Sequence, residues 1–283
     1  MIDAGGEAAP TEVSFGRTPF EQRNVTLRDL HDRTRYATWG IAVESPVQVS
    51  INSAPWTVML ATPADLEDLA IGLALTERVL RDATRVRNII VAEYLQDLSV
   101  DIVVDDDAID TAAQNARSLI STTACGLCGI ESLAQLQQRT SETRALAPMP
   151  VTDNAVRVAF NGLAAHQPVN DATRSVHAAA WCRMDGDIVI AREDVGRHNA
   201  LDKLVGALAR TGLLGTEGFV VMSSRCSYEL VYKAIAANAQ LLATISAPTT
   251  MSLTWARALQ LPLACQAGHG SFVRFDKEHD DAG

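Results

Sequence analysis

Cys125 and Cys128 stand three positions apart in TTACGLCGIESL (residues 122–133), and they are two of the five cysteines in the chain. The IESLAQLQQR that follows reads as a helix, so both sulfurs belong at or just before a helix N-terminus. There the helix dipole and unpaired N–H groups favour thiolate, which is the nucleophilic and metal-binding form. Gly126 and Gly129 allow unusual backbone angles and close approach of a partner. Three chemistries compete. Half of a zinc site needs two further ligands, usually a second C-x-x-C or a His pair, and the rest of the chain offers only single cysteines and isolated histidines. A thioredoxin-type dithiol needs little else. A sulfur carrier would take sulfur onto one thiolate as a persulfide and pass it on. On spacing alone redox leads, zinc follows and sulfur transfer comes last. Cys182, Cys226 and Cys265 sit singly in apolar surroundings and read as small buried side chains.

A second group of residues suits an anion. REDVGRHN (192–199), SRCSY (224–228) and SAPTT (246–250) are short polar loops, and each opens a helical pattern. Helix N-termini present free N–H groups and partial positive charge. Arg192, Arg197, His198 and Arg225 add local cations, and Arg197 and His198 are favoured for the ligand because they lie in the loop itself. Asp194 is placed to orient a neighbouring base, while Asp202 and Lys203 read as a pair on the helix surface. No G-x-G-x-x-G or G-x-x-x-x-G-K is present, so no standard nucleotide loop holds the anion.

These loops need a sheet behind them. GDIVIA, GFVVMSS and QLLATIS read as strands, alternating with the helices HNALDKLVGALART, SYELVYKAIAANA and TTMSLTWARAL. LPLACQ and SFVRF close the series. Such alternation implies right-handed crossovers and a partly parallel sheet, with ligands beyond the carboxyl ends of the strands. VHAAAWC and DIVIA joined by MDGD form a hairpin signal, and DNAVRVAFNG reads as a helix. Upstream, WGIAVESPVQVSIN and SAPWTVMLA read as paired strands around the turn-prone NSA. Thr62 and Pro63 mark a helix start, with Leu66, Leu69, Ala70 and Leu73 as its apolar stripe. The resulting division is a flexible tail over 1–30, a small α+β domain over 31–112, and a larger α/β domain with a mixed sheet over 113–283.

Bulk composition bounds the rest. Hydrophobic residues make up 47% of the 283 residues, enough for a buried core. The 24 basic and 34 acidic residues give a net charge of −10, which speaks against bulk nucleic-acid or membrane-surface binding. The opening MIDAGGEAAPTEVSFG lacks the basic and apolar regions of a secretory signal, and no apolar run approaches a membrane span. The expected setting is cytoplasmic, without a membrane or nucleic-acid partner.

From about residue 40 to 275 the chain resembles the formate dehydrogenase accessory family, FdhD. The resemblance is carried by ESPVQVSIN, TPADLEDLAIGL, TTACGLCGIESL, VHAAA, EDVGRHNALDKLVG, SYELVYKA and SAPT. It reorders the three chemistries. It implies a sulfurtransferase that receives sulfur from a cysteine desulfurase as a persulfide on the C-x-x-C. The sulfur goes to the metal of a molybdenum or tungsten bis(molybdopterin guanine dinucleotide) cofactor destined for formate dehydrogenase. The resemblance further implies a cytidine-deaminase-like αβα layered domain beside a smaller N-terminal one, and a homodimer. Carried over, Cys125 is the persulfide carrier and Cys128 assists. Arg197, His198, Arg225, Ser246 and Thr249 would contact the cofactor, of which a guanine nucleotide is a partial mimic. No resident metal is expected. Cys128 poses a chemical problem, because its thiolate could attack the persulfide, release sulfide and leave a disulfide. It must be protonated, turned away or engaged in the transfer. A metal-dependent deaminase needs H-x-E ahead of P-C-x-x-C; here Ala124 precedes Cys125, and HAA at 177–179 lacks the Glu and comes afterwards.

The chain departs from the family pattern in three places. TRS (173–175) replaces TGG and SSR (223–225) replaces SGR. The cofactor-contacting loop reads Gln266, Ala267, Gly268, His269, Gly270, Ser271, with Gly270 alone fitting and both arginines missing. Three outcomes follow: a divergent dehydrogenase is served, the cofactor is bound more weakly, or Arg274 or His269 supplies the missing contact. Two other functions stay open, a cofactor-binding chaperone without sulfur transfer and a dithiol oxidoreductase.

Overall fold

The computed structural model describes residues 18–29, 31, 34–94, 97–111, 113, 149–268 and 270–275; Cys125, Cys128 and His269 lie outside the described residues. A two-stranded ribbon comes first. β1 (Phe20–Arg28) pairs antiparallel with β2 (Thr34–Ala42), from Phe20 opposite Ala42 to Arg28 opposite Thr34. This corrects the expectation of a flexible tail through residue 30. FEQRNVTLR is polar enough to read as tail, and it is held by pairing with β2 rather than by a buried face.

The second unit is a four-stranded sheet with one helix on it. β3 (Ser45–Ile51), β4 (Ala54–Ala61), α1 (Leu66–Thr76), β5 (Val86–Tyr94) and β6 (Asp97–Val104) follow in the chain, and the sheet order is β4-β3-β6-β5. The β3–β4 turn falls on Asn52 and Ser53, whose φ values of 49° and 64° suit the twist of a tight hairpin. Val47, Val49, Leu98, Val100 and Ile102 form the inner face of the sheet, and Leu66, Leu69, Ala70 and Leu73 of α1 cover it. Thr62 does not cap α1 as expected. The cap position is Asp65 in the left-handed region, and Thr62 is buried elsewhere.

The third unit carries the candidate site. α2 (Asp153–Gly162) starts at Thr152, whose Oγ1 accepts a hydrogen bond from Ala155 N at 3.1 Å. α3 (Pro168–Thr173) follows, and the ribbon rests on it so closely that a Cβ at Gly40 would lie 2.5 Å from the Ala172 carbonyl oxygen. Then come β7 (His177–Cys182), β8 (Ile188–Asp194), α4 (Arg197–Arg210), β9 (Phe219–Met222), α5 (Tyr228–Ala236), β10 (Leu242–Thr244), α6 (Thr250–Ala258), β11 (Leu263–Gly268) and β12 (Ser271–Phe275). The sheet order is β12-β11-β10-β9-β7-β8. β9, β10 and β11 are parallel, and β7 is antiparallel to both β8 and β9. β8, β9, β10 and β11 therefore point one way, and their carboxyl ends share one edge.

Alternation along the strands fills two layers. Val220 and Met222 of β9 pack with α4, α5 and α6, whereas Phe219 and Val221 pack with α2. With both faces covered, the strands read as continuous apolar runs. α1 joins this unit to the four-stranded sheet by near backbone contact with α4. A Cβ at Gly72 would lie 1.7 Å from the Asp202 carbonyl oxygen, and one at Gly206 would lie 1.9 Å from that of Asp68.

Candidate functional site

The charges of REDVGRHN divide between scaffold and rim. Arg192 is not a rim cation: its Nε donates to Asp68 Oδ2 at 2.7 Å on α1. Glu193 accepts from Val169 N and Asn170 N, both at 2.8 Å, and so fixes the start of α3; burial pushes its carboxyl above the usual range. Asp194 is part of the scaffold. It is fully buried and accepts from Thr62 N at 3.0 Å, Gly196 N at 2.8 Å and Asn199 Nδ2 at 3.0 Å. Its counter-ion is Lys203, also fully buried, at 2.7 Å. Lys203 Nζ donates as well to Thr62 O at 2.9 Å and Glu193 O at 3.3 Å. Val195 N in turn donates to Thr62 Oγ1 at 3.0 Å.

Asp202 and Lys203 are thus not the surface pair expected from the sequence. Asp202 faces the other way, to Lys233 Nζ at 2.6 and 2.9 Å and to the Thr76 hydroxyl at 2.6 Å. Both sides of α4 are covered, one by the sheet and one by α1. The signal missed was glycine at 72 and 206 in two helix interiors, where its cost of about 1 kcal/mol against alanine usually has a packing reason.

What remains at the carboxyl edge is cationic. Arg197 and His198 open α4, and Arg225 is exposed on the loop after β9. Among the described residues Arg225 has no ion-pair partner. His198 Nε2 lies 2.5 Å from Glu229 Oε2 at the start of α5, a charge contact without hydrogen-bond alignment. His177 opens β7 opposite Asp194 and joins this group, although sequence reasoning did not name it as a site residue. Burial holds its imidazole below the usual range, and Arg197, His198 and Arg225 push the same way, against Asp194. The sequence clue was VHAAA itself, one of the motifs that carry the family resemblance.

The other expected ligand contacts fall on the same edge. Ser246 is exposed after β10, and its N–H donates to Ser224 O at 3.2 Å. The Thr249 side chain is committed to α6, accepting from Ser252 N at 3.2 Å, while Ser252 Oγ accepts from Thr249 N at 2.9 Å. Gln266, Ala267 and Gly268 end β11, and Gly270 and Ser271 return the chain into β12; all five are exposed. Gly268 and Gly270 have φ of 81° and 74°, which the tight return requires. Arg274 does not supply the missing cation. It sits opposite Ala264, towards the amino end of β11, and its guanidinium donates to Val151 O at 2.7 Å and Asp153 Oδ1 at 3.1 Å.

Cys182, Cys226 and Cys265 are buried, as expected. Burial raises all three thiols, Cys226 to about 12. None of them supplies a thiolate near neutrality. Among the described residues no group of three His, Cys, Asp or Glu side chains could hold a metal ion, and no helix is long and apolar enough to cross a membrane.

A family model described as FdhD/NarQ family matches residues 42–280. The chain belongs to the FdhD/NarQ family. The match takes in the C-x-x-C and every rim residue named above, and starts where β2 ends. Relatives named sulfur carrier protein FdhD include one from Variovorax paradoxus, 41% identical and covering 83% of this chain and 82% of that protein. Another, from Cupriavidus necator, is 41% identical and covers 95% of this chain and 90% of that one. A crystal structure from Desulfotalea psychrophila, described as a candidate formate dehydrogenase accessory protein, shares the fold. Its TM-score is 0.71 at 17% identity, covering 93% of this FdhD/NarQ chain and 99% of that one.

Proposed function

We propose that this chain is a sulfur carrier acting on a large anionic pterin–metal cofactor. Cys125 receives sulfur from a cysteine desulfurase. Its thiolate attacks the outer sulfur of the donor persulfide, the donor's S–S bond breaks, and the donor cysteine leaves as thiolate. The acceptor substrate is the molybdenum bis(molybdopterin guanine dinucleotide) cofactor needed by formate dehydrogenase. Arg197, His198 and Arg225 meet its phosphates, and Ser246, Thr249 and the 266–271 hairpin bind along the rest of the edge. The protein works in the cytoplasm as a homodimer, with the three-layer unit read as deaminase-like.

The observation that carries this reading is membership of a family whose relatives are named sulfur carrier protein FdhD, over a span that includes Cys125 and Cys128. Two features support it. Burial keeps the other three cysteines protonated, so sulfur chemistry falls to the pair. The edge from β8 to β12 crosses five strand spacings, roughly 24 Å at about 4.8 Å each, which suits an extended ligand.

The test is peptide mass spectrometry after incubation with a cysteine desulfurase and cysteine. Added sulfur on Cys125, lost on reduction and absent in Cys125→Ala, is the expected result. No added sulfur on either cysteine, under conditions that load a relative, would sink it. A cofactor-binding chaperone is the second reading, favoured by the 266–271 hairpin, which has neither arginine nor lysine. A chaperone would still support dehydrogenase activity as Cys125→Ala; a sulfur carrier would not.

A further inference from the structure

We propose that His177 is a proton-binding residue of the anion site, so that an anion seated at the carboxyl edge enters together with a proton on the His177 imidazole. This rests on the anion-site part of the proposed function.

Position is the first argument. His177 is the first residue of β7, and β7 runs against β8 and β9, so its amino end lies beside their carboxyl ends. Alternation puts His177 on the same face as Ala179, which packs among residues of α4 and α5. Those two helices begin at this edge with Arg197, His198 and Glu229. His177 is only half-buried, so a ligand over the helix N-termini can reach it.

Charge is the second. Facing His177 are Asp194 from β8, Arg197 and His198 from α4, and Arg225 from the β9 loop, with Glu229 of α5 lying against His198. Asp194 is already neutralised by Lys203 at 2.7 Å. Burial first, and the neighbouring guanidinium groups after it, leave the imidazole disposed to be neutral without a ligand. A dianion seated by Arg197 and Arg225 reverses the local potential and favours the imidazolium. Proton and anion then bind with positive coupling, which is necessarily reciprocal. Binding tightens as pH falls and weakens as pH rises through the value of the liganded His177. A carrier of this kind would release an anionic product more readily where protons are scarce.

Sulfate is a suitable probe because it does not titrate near neutrality. The Cε1 protons of the six histidines would be followed by NMR against pH, with and without sulfate, and the His177 signal assigned by its loss in His177→Gln. The expected result is an upward shift of the His177 titration by about one unit with sulfate bound. If sulfate perturbs Arg225 and the α4 N-terminus but leaves the His177 titration in place, the inference fails while the anion site stands. If sulfate perturbs none of them at any pH, the anion site itself is overturned, and this inference with it. Persulfide loading of Cys125 is read separately and decides the sulfur-carrier reading on its own.

Discussion

Lys203 is an ammonium with no access to water, held by Asp194 and two backbone carbonyls. A buried ion pair of this kind adds little over a well-packed apolar pair, but removing one partner strands the other charge. Lys203→Met should therefore cost about 3–5 kcal/mol in urea unfolding, and Asp194→Asn combined with it should recover part of that loss. A double variant no more stable than Lys203→Met alone would mean that Asp194 matters for its backbone hydrogen bonds rather than its charge. His177 has a different consequence. Its imidazole sits below the usual range because of burial first and the neighbouring cations second, so the folded chain takes up this proton less readily than the unfolded chain. The associated stability is intact above the ordinary imidazole range and is lost as pH falls through the lower folded value. Urea unfolding across that acid range should show a shallower decline for His177→Gln.

α1 and α4 meet almost backbone to backbone, and the geometry sets the tolerance of each glycine. Gly72→Ala puts a methyl group 1.7 Å from a carbonyl oxygen, where only separation of the helices relieves the clash. Overpacking of this type costs about 1–3 kcal/mol. That should exceed the gain of up to ~1 kcal/mol in helix propensity. Gly162→Ala is the contrast, because its Cβ would meet nothing closer than 3.6 Å. It should be neutral or slightly stabilising. Thermal melts of the two variants decide the matter, and equal melting temperatures would contradict the contact. This helix pair also fixes the site, since Asp194, Thr62 and Lys203 tie the β8–α4 loop to the segment leading into α1.

Across the whole molecule, a net charge of −10 coexists with a cationic edge. For the proposed anion site, this arrangement would confine binding to one place, because a net negative surface repels anions elsewhere. Arg225 is the exposed member of the group, so its contribution to ligand binding is separable from folding. Arg225→Ala should weaken pyrophosphate binding about tenfold in calorimetry, as loss of one charge-assisted contact implies. The melting temperature of the ligand-free protein should stay unchanged. Added salt should reduce the difference between the two proteins, since an exposed charge is screened. An Arg225→Ala protein that binds pyrophosphate as well as the parent would move the ligand away from the β9 loop.

Much of this was legible in the residues alone. Strand and helix periods in the last third, the MDGD hairpin and the loops at one edge are local patterns, determined by alternation, turn residues and the handedness of crossovers. The family resemblance was legible for the same reason, as short motifs in order. The β1 strand was not, because a polar strand held by its neighbour carries no apolar signature of its own. Nor was the sorting of the charged residues. Arg192, Asp194, Asp202 and Lys203 read as loop or surface charges, yet Asp194 meets Thr62 at a separation of 132 residues and Lys203 meets it at 141. Whether a charge is solvated or buried depends on what covers it. The cover on α4 comes from α1 and its approach, far upstream. The sequence by itself determined the elements with an apolar period and the chemistry on offer. Only the tertiary structure decided which charges hold the scaffold and which, with His177 among them, line the carboxyl edge of the sheet.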